Sequence, residues 1–218
     1  MSLENEKILM LDSETTNDID CPLVYDIGFS VVDIYGNTYE EGSYVVADIF
    51  LDKELMSTAF FADKIPTYWE DIKSGKRLLR RYKTIRSIIY DVMRQYNIIF
   101  VCCHNIRFDY CSTNTTQRYL TSSKFRYFFP YGTQFLDTLK MSREIFKNDI
   151  EYCEFCERNN FVTKHNKPKF TAEVLYRFLT NDLEFEEEHT GLADVRIEKE
   201  ILKECLRRNP SVNGLLWE

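Results

Sequence analysis

No run in this 218-residue chain is long and apolar enough to cross a bilayer. Its start, MSLENEK, is polar and lacks the apolar segment of a signal peptide, so the chain is expected to be cytoplasmic, with no membrane partner. Positive charge is not in excess either. With 28 Lys and Arg against 35 Asp and Glu, the formal net charge is −7. The field of the whole molecule repels polyanions, which argues against a general coating protein of nucleic acid. It leaves room for an enzyme that meets a strand locally, through a basic patch or bound cations. A disulfide framework is missing too. The seven cysteines are an odd number, and Cys102 and Cys103 adjoin within an apolar run. Strand neighbours point to opposite faces, so these are expected to be buried thiols. Internal repeats, low-complexity tracts and clear linkers are also lacking. What remains is globular: 44% hydrophobic and 15% aromatic residues, in a chain long enough for a substantial core.

The order of elements is informative. KILMLDSE reads as a first strand, apolar on both faces like the centre of a covered sheet. VYDIGFSVVDI and TYEEGSYVV, joined by the turn YGN, read as a hairpin. Residues 47 to 73 are expected to be irregular. Leu78, Tyr82, Ile85, Ile89, Val92 and Tyr96 then recur at helical spacing, which predicts one long helix. IIFVCCHN is a fourth strand, RFDYCSTNTTQRYL a helix and TQFLDTL a short fifth strand. Helices follow at about 140–158, 171–180 and 191–208. The pattern predicts an α/β fold with a five-stranded mixed sheet flanked by helices. Residues 1–208 are taken as a single domain, with 209–218 as a tail in which Trp217 docks locally or onto a partner.

The first strand ends in two acids. Asp12 and Glu14 are two apart, so they share a face at the strand's carboxyl end, where open α/β sheets place their sites. Singly this is weak, because Asp18 with Asp20 and Glu186 with Glu188 have the same spacing. The fourth strand runs through His104 and Asn105 to Asp109, at a helix start whose dipole alone favours a carboxylate. Asp194 shares the apolar face of the last helix with Ile197 and Ile201, and a buried acid needs a partner. His189 lies in the loop before it. Four carboxylates from three separated segments suit hard cations, Mg²⁺ or Mn²⁺. Two such ions about 4 Å apart clamp the attacking and leaving oxygens of a phosphodiester. A histidine of near-neutral pKa can take the water's proton.

LDSETT, HNIRFD and HTGLAD, in that order, resemble the three motifs of the DEDDh (DnaQ-like) 3′→5′ exonucleases, a family with a ribonuclease H-like fold. YDIGFSVVDIYGN and FLDTLKMS are similar to that family as well, so the resemblance runs from about residue 7 to 205. It implies that Asp12, Glu14, Asp109 and Asp194 bind two Mg²⁺ or Mn²⁺ ions, that His189 is the general base, and that Thr15 and Asn105 lie beside the terminal nucleotide. It also implies hydrolysis from the 3′ end of single-stranded DNA or RNA, releasing nucleoside 5′-monophosphates. A polymerase or a second copy of the chain stays open as a further partner. Two positions depart from the family pattern: Asn17 stands where glycine is common, and Gly191 where alanine is usual. Two rival readings are a haloacid-dehalogenase-like phosphatase, which wants Asp where Glu14 stands, and a non-catalytic nucleic-acid-binding module on the same fold.

Residues 73 to 94 carry eight Lys and Arg against Asp91 alone. Lys76, Arg77, Arg80 and Arg81 are therefore expected to hold phosphates, although charge runs are usually solvated faces. Phe60, Phe61, Tyr68 and Trp69 offer rings for stacking on bases, with at least two expected in the core. Cys153, Cys156 and His165 hint at zinc, but a structural site wants four ligands.

Overall fold

The computed structural model describes residues 3–16 and 21–217, so Asn17 lies outside the described residues. Strands β1 (Ile8–Thr16), β2 (Leu23–Val32) and β3 (Thr38–Val46) form an antiparallel meander. Then come α1 (Ala47–Phe50), α2 (Lys53–Met56), a 3₁₀ turn at Ala62–Lys64 and α3 (Ile65–Ser74). The stretch expected to be irregular is thus mostly short helices, with Asp52 capping α2 and Pro66 in the first turn of α3.

The long helix is also corrected. Leu78–Arg80 is a sixth strand, β4, parallel to β3, and only Tyr82–Gln95 is helical, as α4. Helical spacing from Leu78 to Tyr82 misled, because one apolar residue at the end of a three-residue edge strand carries no period of its own. After α4 follow β5 (Phe100–Cys103), α5 (Ile106–Leu120), β6 (Gln134–Asp137), α6 (Thr138–Phe146), α7 (Ile150–Arg158), α8 (Ala172–Thr180) and α9 (Gly191–Arg208). The single helix expected over 140–158 is two, divided before Asp149, whose carboxylate caps α7.

The sheet order is β4-β3-β2-β1-β5-β6, and only β2 runs against the rest. The carboxyl ends of β1 and β5 therefore reach one edge side by side. Alternation along β1 splits its apolar residues between two cores. Leu9 and Leu11 pack with Ile85 and Ile89 of α4, while Ile8 and Met10 pack with Ile201 and Leu202 of α9. A sheet covered on both faces explains the near-continuous apolar runs of its central strands. The final residues lie along β6: Asp137 N donates to Gly214 O at 2.8 Å and Leu216 N to Phe135 O at 2.9 Å. Trp217 sits edge-on to Tyr110 and Phe135. No helix among the described residues is long and apolar enough to cross a membrane.

Candidate active site

Past Leu11 the cores run out, and the side chains of β1 turn polar at the mouth of a cleft of about 550 Å³. Asp12, Ser13, Glu14, Asn105, Asp109, His189 and Asp194 all line it. The two faces of the sheet contribute separately. From α5, on one face, comes Asp109, whose Oδ1 accepts a 2.7 Å hydrogen bond from Ser13 Oγ. From α9, on the other, comes Asp194. Ser13 points away from Asp12 and Glu14, so a single strand end addresses both helices.

α9 can approach this closely only because of glycine. A Cβ built on Gly28 would lie 2.0 Å from Leu192 N, and one on Gly191 would lie 2.5 Å from Gly28 N and 2.9 Å from Asp12 O. Even alanine is too large at 191. His189, at φ 47°, takes the left-handed conformation that turns the chain into α9.

The start of α9 has no side-chain cap from Thr190. Its place is taken from across the sheet, where buried Asp26 Oδ2 accepts from Gly191 N at 3.0 Å. The same oxygen receives Tyr68 Oη at 2.8 Å and Arg77 Nη1 at 2.9 Å, and Arg77 Nε reaches Asp71 at 2.8 Å. Arg77 is only 4% exposed. Its expected role in holding phosphates is thus corrected: its guanidinium is spent on two buried carboxylates. Lys76 is exposed and 3.5 Å from Asp71, Arg80 is exposed and bonds Leu79 O, and exposed Arg81 is the N-cap residue of α4. β4 is three strands from β1, roughly 14 Å at about 4.8 Å per strand. Tyr68 is core, as expected of some of these aromatics. Thr15 lies past a bulge at Glu14/Thr15 and does not line the cleft.

The acids are crowded. Burial raises the Asp12 carboxyl well above its ordinary range, and Asp109, Glu198, Glu14 and Asp194 raise it further. Glu14 is pushed up to about 9 by burial and then by Asp194 and Asp26. Asp194 is pushed up to about 8 by burial and then Glu187, and its Oδ1 is buried without a hydrogen-bond partner. Ligand atoms of Glu14, His189 and Asp194 lie within 4.8 Å of one another. Desolvated, mutually repelling carboxylates with an orphaned oxygen fit a divalent cation, whose charge relieves both costs. This is the metal-competent cluster among the described residues. Cys156 is instead buried beside Tyr152, and Cys153 Sγ lies 3.7 Å from Lys147 O.

Sequence reasoning missed Glu198 and offered Phe61 only as a ring for stacking on bases. Glu198 follows Asp194 by one helical turn, lines the cleft, is buried and accepts from His104 N at 3.0 Å. Its i+4 spacing was a usable signal. The Phe61 ring stacks on His189 at 4.4 Å and 14°, a contact no local pattern encodes. The imidazole Nδ1 faces Glu187 Oε2 at 3.7 Å. Burial, then the Lys64 ammonium, holds His189 below the ordinary imidazole range. His104 is not free for chemistry: Nδ1 meets Thr138 Oγ1 at 3.0 Å and Nε2 meets Phe170 O at 2.8 Å.

The mixed sheet and its flanking helices are those of the ribonuclease H-like α/β fold, and solved structures of exonucleases share it. Exonuclease X in complex with 5′-overhanging duplex DNA aligns over 93% of both chains, with TM-score 0.51 and 15% identity. Exonuclease I from Methylocaldum szegediense aligns with TM-score 0.57 and 18% identity, covering 95% of this chain and 42% of that one. The zinc-bound E. coli exonuclease I–single-stranded DNA complex gives TM-score 0.55, 16% identity and coverages of 95% and 42%. The chain therefore spans about two fifths of the length of the exonuclease I structures. No protein-family model and no curated protein sequence matches it.

Proposed function

We propose that this chain is a metal-dependent 3′→5′ exonuclease that hydrolyses the terminal phosphodiester of single-stranded nucleic acid. The observation carrying this reading is the convergence of Asp12, Glu14, Asp109 and Asp194, from both faces of the sheet, beside His189 in one open cleft. The exonucleases that share the fold support it, since two of them are complexes with DNA.

Asp12, Glu14, Asp109 and Asp194 would hold two divalent cations, Mg²⁺ or Mn²⁺. When bound, such ions polarise the phosphate and stabilise charge on the entering and leaving oxygens. His189 supplies the base. With Nδ1 turned toward Glu187, Nε2 takes a proton from the attacking water while Phe61 fixes the plane of the ring. The water oxygen bonds to phosphorus and the P–O3′ bond breaks. The products are a nucleoside 5′-monophosphate and a strand shortened by one residue with a free 3′-hydroxyl. Asn105, in the left-handed conformation at φ 72°, presents its exposed side chain to the cleft beside the terminal nucleotide.

The test is direct. End-labelled single-stranded DNA and RNA, incubated with Mg²⁺ or Mn²⁺, should yield nucleoside 5′-monophosphates from the 3′ end, and EDTA should abolish the release. Equal release in EDTA would remove the two-metal reading, and binding without turnover would favour the non-catalytic module.

A further inference from the structure

The cleft has two unlike lips. One carries Phe61 against His189, with Phe60 next to it at 88% exposure. The other is a hairpin, residues 161–170, in which Val162 and Pro168 form a bridge. Thr163 N donates to Lys167 O at 2.8 Å, Asn166 N to Thr163 O at 2.9 Å and Lys169 N to Phe161 O at 3.0 Å. Lys164 and His165 therefore occupy the centre of a tight turn closed by Asn166 at φ 54°.

This arm is tied to the catalytic region at its base. His104, whose successor Asn105 lines the cleft, holds Phe170 O through Nε2, and Tyr152 Oη holds Lys169 O. Thr163 and Lys169 share the cleft with the acids, and Arg143 of α6 stands on the same side. The charge is one-sided. From Arg158 to Ala172 there are four Lys and Arg and no Asp or Glu, in a chain whose net charge is −7. Lys164, Lys167 and Lys169 are exposed and enter none of the ion pairs of the described residues. An acidic molecule that keeps an unneutralised basic arm beside an acidic cleft has somewhere to place a polyanion's charge.

We propose that hairpin 161–170 is the phosphate-binding arm for single-stranded nucleic acid, gripping the backbone upstream of the terminal linkage while the opposite lip faces the bases. The assignment rests on the reading of the cleft as a nuclease site. It replaces the residues before α4 as the basic track, because Arg77 is consumed internally and β4 lies at the far sheet edge. Backbone contacts of this kind position a strand without reading its sequence. A basic groove opposite exposed rings is how single strands are commonly held.

The test compares the parent with a Lys164→Ala/Lys167→Ala/Lys169→Ala variant. The probe is a fluorescently labelled phosphorothioate oligothymidylate, which resists turnover, and affinity is followed by anisotropy across a salt series. Removing one lysine–phosphate pairing should make the log–log salt dependence shallower by about 0.7, so removing three makes it shallower by about 2. A triple Lys→Arg variant, which keeps the charge, should retain the parental slope. A triple Lys→Ala control at Lys53, Lys73 and Lys83 equals the first variant in net charge and separates the arm from the overall field. A parental slope in the hairpin variant, or an equal loss in the control, overturns the arm. Because binding is read without turnover, a parent that binds through the arm but releases no nucleotide defeats the nuclease reading alone. An active parent whose hairpin variant binds unchanged defeats the arm alone.

Discussion

His189 shows how much of a residue's chemistry is set by its neighbours. Burial, then the Lys64 ammonium, lowers its pKa below the ordinary imidazole range, which favours the neutral ring that can accept a proton. Phe61 fixes its plane and Glu187 faces Nδ1. In the proposed reading the four carboxylates, and not His189, hold the cations. In His189→Ala, metal-dependent stabilisation should persist while kcat falls by roughly 10²–10⁴, the usual worth of a positioned base. The pH–rate profile should also lose its acid limb, which in the parent lies below the ordinary imidazole value near 6.5. Turnover at the parental rate with an unchanged profile would end the general-base assignment.

At the scale of elements, the placement of α9 decides the site, because it brings Asp194 and Glu198 and ends the loop of His189. Its first turn is capped from a distant strand by Asp26, itself held by Arg77 from the approach to β4. A buried charge left without its partner costs about 3–5 kcal/mol. Arg77→Ala should therefore destabilise the fold by about that much, visible in denaturant titrations. If the pair serves only stability, kcat per folded molecule will match the parent. We expect it instead to fall with little change in KM, since the first turn of α9 carries site residues and not the strand-binding arm. Arg77→Lys restores the charge without the fork that spans Asp26 and Asp71, and should recover stability only in part.

Across the whole molecule, the acid cluster couples folding to protons and metal. Glu14 at about 9 and Asp194 at about 8 are far above the unfolded value near 4. The native metal-free state thus binds more protons over that interval. This contribution is fully present below about pH 4 and is lost as pH rises through the folded values. In EDTA the Tm should fall between about pH 4 and pH 9. Mg²⁺ or Mn²⁺ should flatten the decline, because a cation bound only by the native state stabilises it. Thermal unfolding at several pH values checks this, and a Tm that climbs with pH in EDTA would contradict the crowding of charge at the cleft.

What was legible in the chain was whatever depends on near neighbours. Alternation put Asp12 and Glu14 on one face of β1, the motif order picked out Asp109, His189 and Asp194, and TYEEGSYVV matched β3 residue for residue. Local spacing carries that information because strand and helix periods are local properties. Other features came from pairings distant in sequence, which no period reports. Arg77 looked like a solvated cation until Asp26, 51 residues away, claimed it. Ser13 became a support for Asp109 across 96 positions, and Asp26 a cap for Gly191 across 165. Leu78 joined a sixth strand because β3 offered an open edge. The kinds of residue available to the site were set by the sequence itself. Which of them share one desolvated cleft was decided by the tertiary structure, because burial and Coulomb repulsion act through distance in space and not along the chain.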